Sequence, residues 1–299
     1  MKELVVISGK GGSGKTSVVA SLAALAERAM VADCDVDAAD LHLVLAPTVE
    51  HREDFVAGKE AEVQPELCAG CGKCVQVCRF DAITLTGPAN ELVDKTYRID
   101  AIDCEGCGAC ARICPQEAIR FESVVCGEWF RSATRHGPMV HARLGIAQEN
   151  SGKLVALVRK EAAGLGERLG LELLITDGPP GIGCPVIASV TGAALALIVA
   201  EPTVSGRHDL GRVLQLAEHF RVPAMVCINK WDLNPRVTEE IEAEMHSKNV
   251  PLAGRIRYDN SVTRAQVERL SVVEYDGAEA GEDIRAVWRR VRGALDQLG

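Results

Sequence analysis

Short apolar runs alternate with amphipathic stretches along most of the chain. Leu4-Val5-Val6-Ile7-Ser8 is rich in β-branched residues and gives way at once to glycine, which predicts a buried strand entering a turn. Thr16 to Arg28 is alanine- and leucine-rich and predicts a helix; Met30 to Asp33 predicts a second short strand. After about residue 150 the same rhythm returns. Lys153 to Leu169 carries apolar residues at helical spacing, and Leu171 to Thr176 is a strand ending at Asp177. Pro185 to Thr191 reads as a short helix, Ala193 to Ala200 as a strand, Asp209 to Phe220 as a helix and Ala224 to Asn229 as a strand. Val237 to Lys248 and Asp283 to Leu298 complete the set as helices. Strands alternating with helices predict an α/β domain, its mostly parallel sheet covered by helices on both faces.

The rhythm breaks between about residues 58 and 124. Because it is the same before and after, the interruption reads as an insertion: residues 1–57 and 125–299 form one discontinuous domain, and 58–124 a second. The inserted stretch holds an internal repeat. Cys68-Ala69-Gly70-Cys71-Gly72-Lys73-Cys74-Val75-Gln76-Val77-Cys78 recurs as Cys104-Glu105-Gly106-Cys107-Gly108-Ala109-Cys110-Ala111-Arg112-Ile113-Cys114. The likeness continues into Ala82-Ile83 and Ala118-Ile119.

Composition narrows the classes. The chain has 299 residues, 47% of them hydrophobic, enough for a sizeable core. A net charge of −9 and only 4% aromatic residues argue against nucleic-acid binding and against an anionic membrane surface. Eight of the 12 cysteines fall between Cys68 and Cys114. The start of the chain, Met1-Lys2-Glu3, lacks the pattern of a secretory leader, so a reducing cytoplasm with metal-binding thiolates is expected rather than a disulfide scaffold. Gly178 to Ala200 is uncharged and long enough to span a bilayer, but its three prolines and four glycines predict a loop, a short helix and a buried strand instead.

Gly9-Lys10-Gly11-Gly12-Ser13-Gly14-Lys15-Thr16 fits G-x-x-x-x-G-K-[ST] at every required position, between a strand and a helix. Glycines let backbone N–H groups curl around phosphate oxygens, and the helix N-terminus adds its positive end. In this pattern Lys15 reaches the β- and γ-phosphates, Thr16 offers a hydroxyl to Mg²⁺, and Ser17 continues the cradle. Asn229-Lys230-Trp231-Asp232 ends another strand and fits N-K-x-D, in which Asn and Asp bond a guanine edge. A polar strand-end turn is the plainer reading of those four residues.

Lys10 is additional to the basic pattern. A second lysine early in the loop resembles the deviant Walker motif of the MinD/ParA/Mrp and nitrogenase-reductase superfamily of ATPases. The resemblance implies that Lys10 contacts nucleotide phosphates, often those of the partner subunit in a dimer that sandwiches the nucleotides. Asp33-Cys34-Asp35-Val36-Asp37 looks like the first switch region. There Asp35, ahead of Asp33 and Asp37, would position the attacking water. Leu173-Leu174-Ile175-Thr176-Asp177-Gly178-Pro179-Pro180-Gly181 looks like Walker B and the second switch, with Asp177 binding Mg²⁺ through water. In this family the residue matching Asn229 can face adenine, which favours ATP.

The spacing C-x2-C-x2-C-x3-C, present twice, is that of bacterial ferredoxins. Similarity to the two-cluster members implies crossed ligation. Cys68, Cys71, Cys74 and Cys114 would hold one [4Fe–4S] cluster; Cys104, Cys107, Cys110 and Cys78 would hold the other. Pro115 follows Cys114 as the motif prefers, whereas Arg79 follows Cys78. Of the other cysteines, Cys34, Cys126 and Cys227 read as packing. Cys184, in Gly183-Cys184-Pro185 after the second switch, is the one with a possible role toward iron.

As a whole the sequence is similar to MinD-superfamily ATPases with an inserted two-cluster ferredoxin domain. Glu128-Trp129, Glu201-Pro202-Thr203 and the Asp177–Pro185 segment match that group. Asp37-Ala38-Ala39-Asp40 departs from it, since Pro-Asn is common at the last two positions. The resemblance implies MgATP hydrolysis that gates electron transfer to a partner protein. A cluster carrier of the Mrp type and a MinD-like positioning ATPase are the alternatives. It also implies a homodimer or a pair with a paralogous subunit.

Overall fold

A computed structural model describes residues 1–145 and 151–298. The chain opens with β1 (Lys2–Ser8), α1 (Lys15–Leu25), β2 (Ala29–Asp33) and α2 (Leu41–Leu45). Next come β3 (Thr48–Val63), α3 (Lys73–Val77), β4 (Ile83–Gly87), β5 (Thr96–Ile99) and α4 (Ala109–Ile113). β6 (Ile119–Thr134), β7 (Gly137–Leu144), α5 (Ser151–Arg168), β8 (Leu173–Pro180), α6 (Cys184–Val190) and β9 (Leu195–Ala200) follow. The chain closes with α7 (Val204–His219), β10 (Ala224–Asn229), α8 (Pro235–Ser247), β11 (Leu252–Ile256), α9 (Ser261–Val267) and α10 (Glu279–Gln297).

Two compact units result. The first comprises Met1–Glu53, Glu128–Leu144 and the chain from Ser151 onward; the second includes Asp54–Gly127. The nine-stranded sheet has the order β11-β10-β9-β1-β8-β2-β7-β6-β3, and its six strands from β11 to β2, with β7, pair in parallel. This is the predicted α/β architecture. The period of two along each strand shows why both faces are covered. In β1, Leu4 and Val6 enter one core while Val5 and Ile7 enter another. In β9, Leu197 and Val199 face the first core, and Ala196 and Ile198 the second. α1 and α10 cover the first face; α6, α7 and α8 cover the second.

The apolar stripe of α10, Ile284, Val287, Val291 and Leu295, is buried in the first core, with Trp288 packed at its edge. That is core packing, not a membrane-seeking face. The uncharged stretch from Gly178 becomes the end of β8, then α6 and β9. Among the described residues no helix is long and apolar enough to cross a membrane.

The second unit repeats itself in its backbone as well as its sequence. Gly70 and Gly106 have φ of 63° and 60°, Gly72 and Gly108 have 73° and 72°, and Asp81 and Glu117 have 54° and 50°. α3 packs on α4, and β4 pairs antiparallel with β5. Its core combines Ala61, Val63, Ile83 and Ile119 with Cys68, Cys74 and Cys110.

Candidate functional site

The turn after β1 is shaped by what surrounds it. A Cβ on Gly9 would lie 2.4 Å from that of Asp209 on α7, so only glycine admits the helix there. Gly14, at φ 82°, precedes the first residue of α1, and a Cβ on it would meet the Asn229 amide at 2.3 Å. No side chain caps α1, so its first N–H groups are left for an anion. The loop borders a cavity of about 510 Å³, lined by Lys10 to Ser17 together with Asp35, Asp40 and residues of α9. That volume suits a nucleotide-sized ligand.

Beneath the loop lies a buried charge cluster. The Lys15 ammonium donates to Asp177 and sits 3.5 Å from Asp35. Burial alone would lower Lys15, but Asp177 and Asp35 hold it above its ordinary 10.5. Asp33 and Asp177 are register partners across β2 and β8, and both are fully buried. Burial first, and then Asp177, push Asp33 well above 3.8. Burial raises Asp35 too, against the pull of Lys15. Among the described residues, three buried oxygens have no hydrogen-bond partner: Ser13 Oγ, Asp33 Oδ2 and Asp177 Oδ2. Unpaired oxygens at the end of two adjacent strands, below a phosphate-type loop, suit a hydrated divalent cation and its anion.

A second network grips the loop from the side. Asn229 donates to Ser13 O at 2.8 Å and accepts from Lys230 N at 3.0 Å. Lys230 donates to Gly12 O at 3.0 Å and pairs with Glu201 at 2.5 Å. The other oxygen of Glu201 pairs with Lys10 at 3.0 Å, and Lys10 also donates to Thr203 Oγ1 at 3.3 Å. Burial opposes it, yet Lys230 and Lys10 hold Glu201 below its ordinary range.

The structure therefore gathers Lys10, Gly11, Gly12, Ser13, Gly14, Lys15, Thr16, Ser17 and Asp35 around one cavity, with Asp177 under Lys15. Gly9 lies at the α7 crossing rather than on the cavity wall. Asn229 touches the loop from behind, whereas exposed Asp232 accepts from Tyr258 N at 2.7 Å and does not line the cavity. Sequence reasoning ranked Asp33 low and gave Lys230 no separate role. It missed α9, whose Thr263, Gln266 and Val267 complete the wall. The seven-residue helix has no strong apolar period to announce it.

In the second unit, Cys68, Cys71, Cys74 and Cys114 line one small cavity with Tyr97 and Ile119. Three come from the first repeat and the fourth from the second. Cys78, Cys104 and Cys110 share the same apolar cluster, and Cys107 is exposed. Burial pushes the Cys74 thiol up to about 11 and raises Cys110 as well. Among the described residues no three His, Cys, Asp or Glu side chains converge closely enough for a single metal ion. Cys34, Cys126 and Cys227 are buried, and Cys184 is exposed at the start of α6. A larger cleft, of about 650 Å³, lies in this unit between β4–β5 and β3–β6, where Arg120 pairs with Glu62.

The description "CobQ/CobB/MinD/ParA nucleotide binding domain" matches residues 4–272. An uncharacterized protein of Methanocaldococcus jannaschii is 36% identical over 238 residues, covering 78% of this chain and 79% of the relative. MinD of Pyrococcus horikoshii, solved with Mg-ADP, superposes with a TM-score of 0.58 at 17% identity, covering 100% of this chain and 98% of that one. McdA of Cyanothece, solved with ATP, gives 0.55 at 18%, covering 99% and 96%. At those identities the solved structures speak for the fold alone. With the family match running over nearly the whole length, the chain belongs to the CobQ/CobB/MinD/ParA nucleotide binding domain family.

Proposed function

We propose that the protein is a MgATP-hydrolysing switch of the MinD/ParA type. The observation that carries this is the buried Lys15 held between Asp35 and Asp177 under a glycine loop whose nearby buried oxygens lack partners. Lys15 neutralises the two carboxylates it pairs with. With ATP bound, it turns to the β- and γ-phosphates, and the loop N–H groups take their remaining oxygens. Thr16, Asp35 and Asp177 are the residues that would hold Mg²⁺, which supplies charge neutralisation between the phosphates when bound. Asp35 orients the attacking water. The water oxygen bonds to the γ-phosphorus, the bond to the β–γ bridging oxygen breaks, ADP leaves with that electron pair, and a proton of the water passes to a phosphate oxygen of the product. The solved neighbours bound to Mg-ADP and to ATP support the choice of adenine nucleotide. Phosphate release from MgATP tests the reading. Wild-type turnover with a loss of at least about 100-fold in Lys15→Ala is expected; a wild-type chain that neither binds nor hydrolyses MgATP would sink it.

A second reading adds redox chemistry, and its support is the cavity lined by Cys68, Cys71, Cys74 and Cys114. The second unit would carry two [4Fe–4S] clusters, and nucleotide state would control electron transfer to a protein partner. The clusters would supply one-electron transfer. The thiols of both repeats would hold them, Cys104, Cys107, Cys110 and Cys78 forming the second set. Family and fold speak only for the ATPase, so this reading rests on the eight thiols. Iron and sulfide per chain after anaerobic purification decide it: about eight of each are expected, and a protein free of both ends it.

A further inference from the structure

We propose that Lys230 is a positioning residue for Lys10, acting through Glu201. The inference rests on the ATPase reading above and adds to it a role for the N-K-x-D turn. In a guanine-reading turn, the Asn and Asp side chains are turned to the base. Here the polar groups of the turn are engaged by the protein. Asn229 holds Ser13 O, Lys230 holds Gly12 O, and Asp232 accepts from the backbone of Tyr258. The turn is a strap on the phosphate loop.

The strap reaches Lys10 by one carboxylate. Glu201 gives Oε1 to Lys230 and Oε2 to Lys10, and its side chain is only 13% exposed. Lys10 lines the nucleotide cavity, so a bound polyphosphate draws its ammonium away from Glu201. What that departure costs depends on what Glu201 keeps. With Lys230 in place, the half-buried carboxylate stays paired when Lys10 leaves. Without Lys230, the departure strands a poorly solvated charge, and Lys10 remains trapped on Glu201. Lys230 thereby sets how readily Lys10 reaches the phosphates without touching them itself.

A double-mutant cycle on the full chain separates this from a plain structural role. The variants are Lys230→Met, Lys230→Arg, Glu201→Gln and Lys230→Met with Glu201→Gln. The readouts are kcat and KM for MgATP hydrolysis, and Kd for MgADP. Lys230→Met is expected to lower kcat/KM by about tenfold, the scale of one charge-pair coupling. Lys230→Arg should restore most of it, because arginine also pairs with Glu201. In the Glu201→Gln background, Lys230→Met should change kcat/KM less than about threefold, because a neutral residue 201 no longer traps Lys10. An equal loss in both backgrounds overturns the proposal, since Lys230 would then act only by holding Gly12. If Lys230→Met unfolds, Lys230→Gln, keeping a donor for Gly12, replaces it in the same cycle. A wild-type chain with no MgATP turnover marks failure of the ATPase reading itself, an outcome visible before any variant is compared.

Discussion

Asp33 carries the sharpest conflict at the level of single residues. It is fully buried, its register partner is another buried carboxylate, and its Oδ2 has no donor. Burial and Asp177 push it well above 3.8. A carboxyl raised on folding costs the native state nothing while both folded and unfolded forms are protonated. The cost starts as pH rises past 3.8, where the unfolded chain ionises, and is complete once the raised folded value is passed. Asp33→Asn removes it. The nucleotide-free variant should be more stable than the parent at pH 7 by ~1–3 kcal/mol. Urea melts at several pH values measure this, and the gain should shrink towards zero near pH 3.5. A gain that is constant with pH would show that the charge on Asp33 is not its source. In the proposed function this crowding of buried carboxylates favours a bound cation.

At the scale of elements, the phosphate loop depends on a contact that its own motif does not contain. Gly14 is tolerated by the helix start for its φ of 82°, but Asn229 from β10 also occupies the space a Cβ needs. Gly14→Ala should destabilise the fold by ~1–3 kcal/mol and abolish MgADP binding, as read by thermal melts with and without nucleotide. Retention of a full nucleotide-induced shift would mean that the loop can re-form away from β10. This contact also marks where sequence reading succeeded and stopped. β10 was legible to the residue, because five apolar positions end on Asn229 and a polar turn. α7 starts at Val204, earlier than the Asp209 expected from apolar spacing, because the Thr203 side chain caps it by accepting from Gly206 N. Lys10, Lys15 and Asp177 announced themselves by motif. The Glu201–Lys230 bridge did not, because its ends lie in different strand–turn junctions that only the β9–β10 pairing brings together. β3 and β6 were not anticipated: β3 is exposed over most of its length, and in β6 buried residues such as Cys126, Trp129 and Ser132 do not alternate with a period of two.

At the scale of the whole molecule, the phosphate loop and the repeated cysteines lie in different units. The nucleotide machinery belongs to the first, and the eight thiols of the two repeats to the second. Under the iron–sulfur reading, Cys114 belongs to the set of the first repeat although it lies in the second. Cys114→Ser should therefore perturb the spectrum of the site built by Cys68, Cys71 and Cys74, cutting iron by about half, while MgADP affinity in the first unit stays unchanged. Iron content equal to the parent would remove Cys114 from the ligand set. The chain leaves the first unit within β3 and re-enters it within β6, strands adjacent in the sheet, where Arg52 Nε meets Glu128 Oε1 at 2.9 Å. Topologically, residues 64–118 are thus the tip of one β-hairpin made by β3 and β6. A hairpin tip can lengthen or shorten in a single genetic event without shifting the register of any other strand. The length of the segment between β3 and β6 is therefore uncoupled from the pairings that order β11 to β7, and a change in one leaves the other as it is.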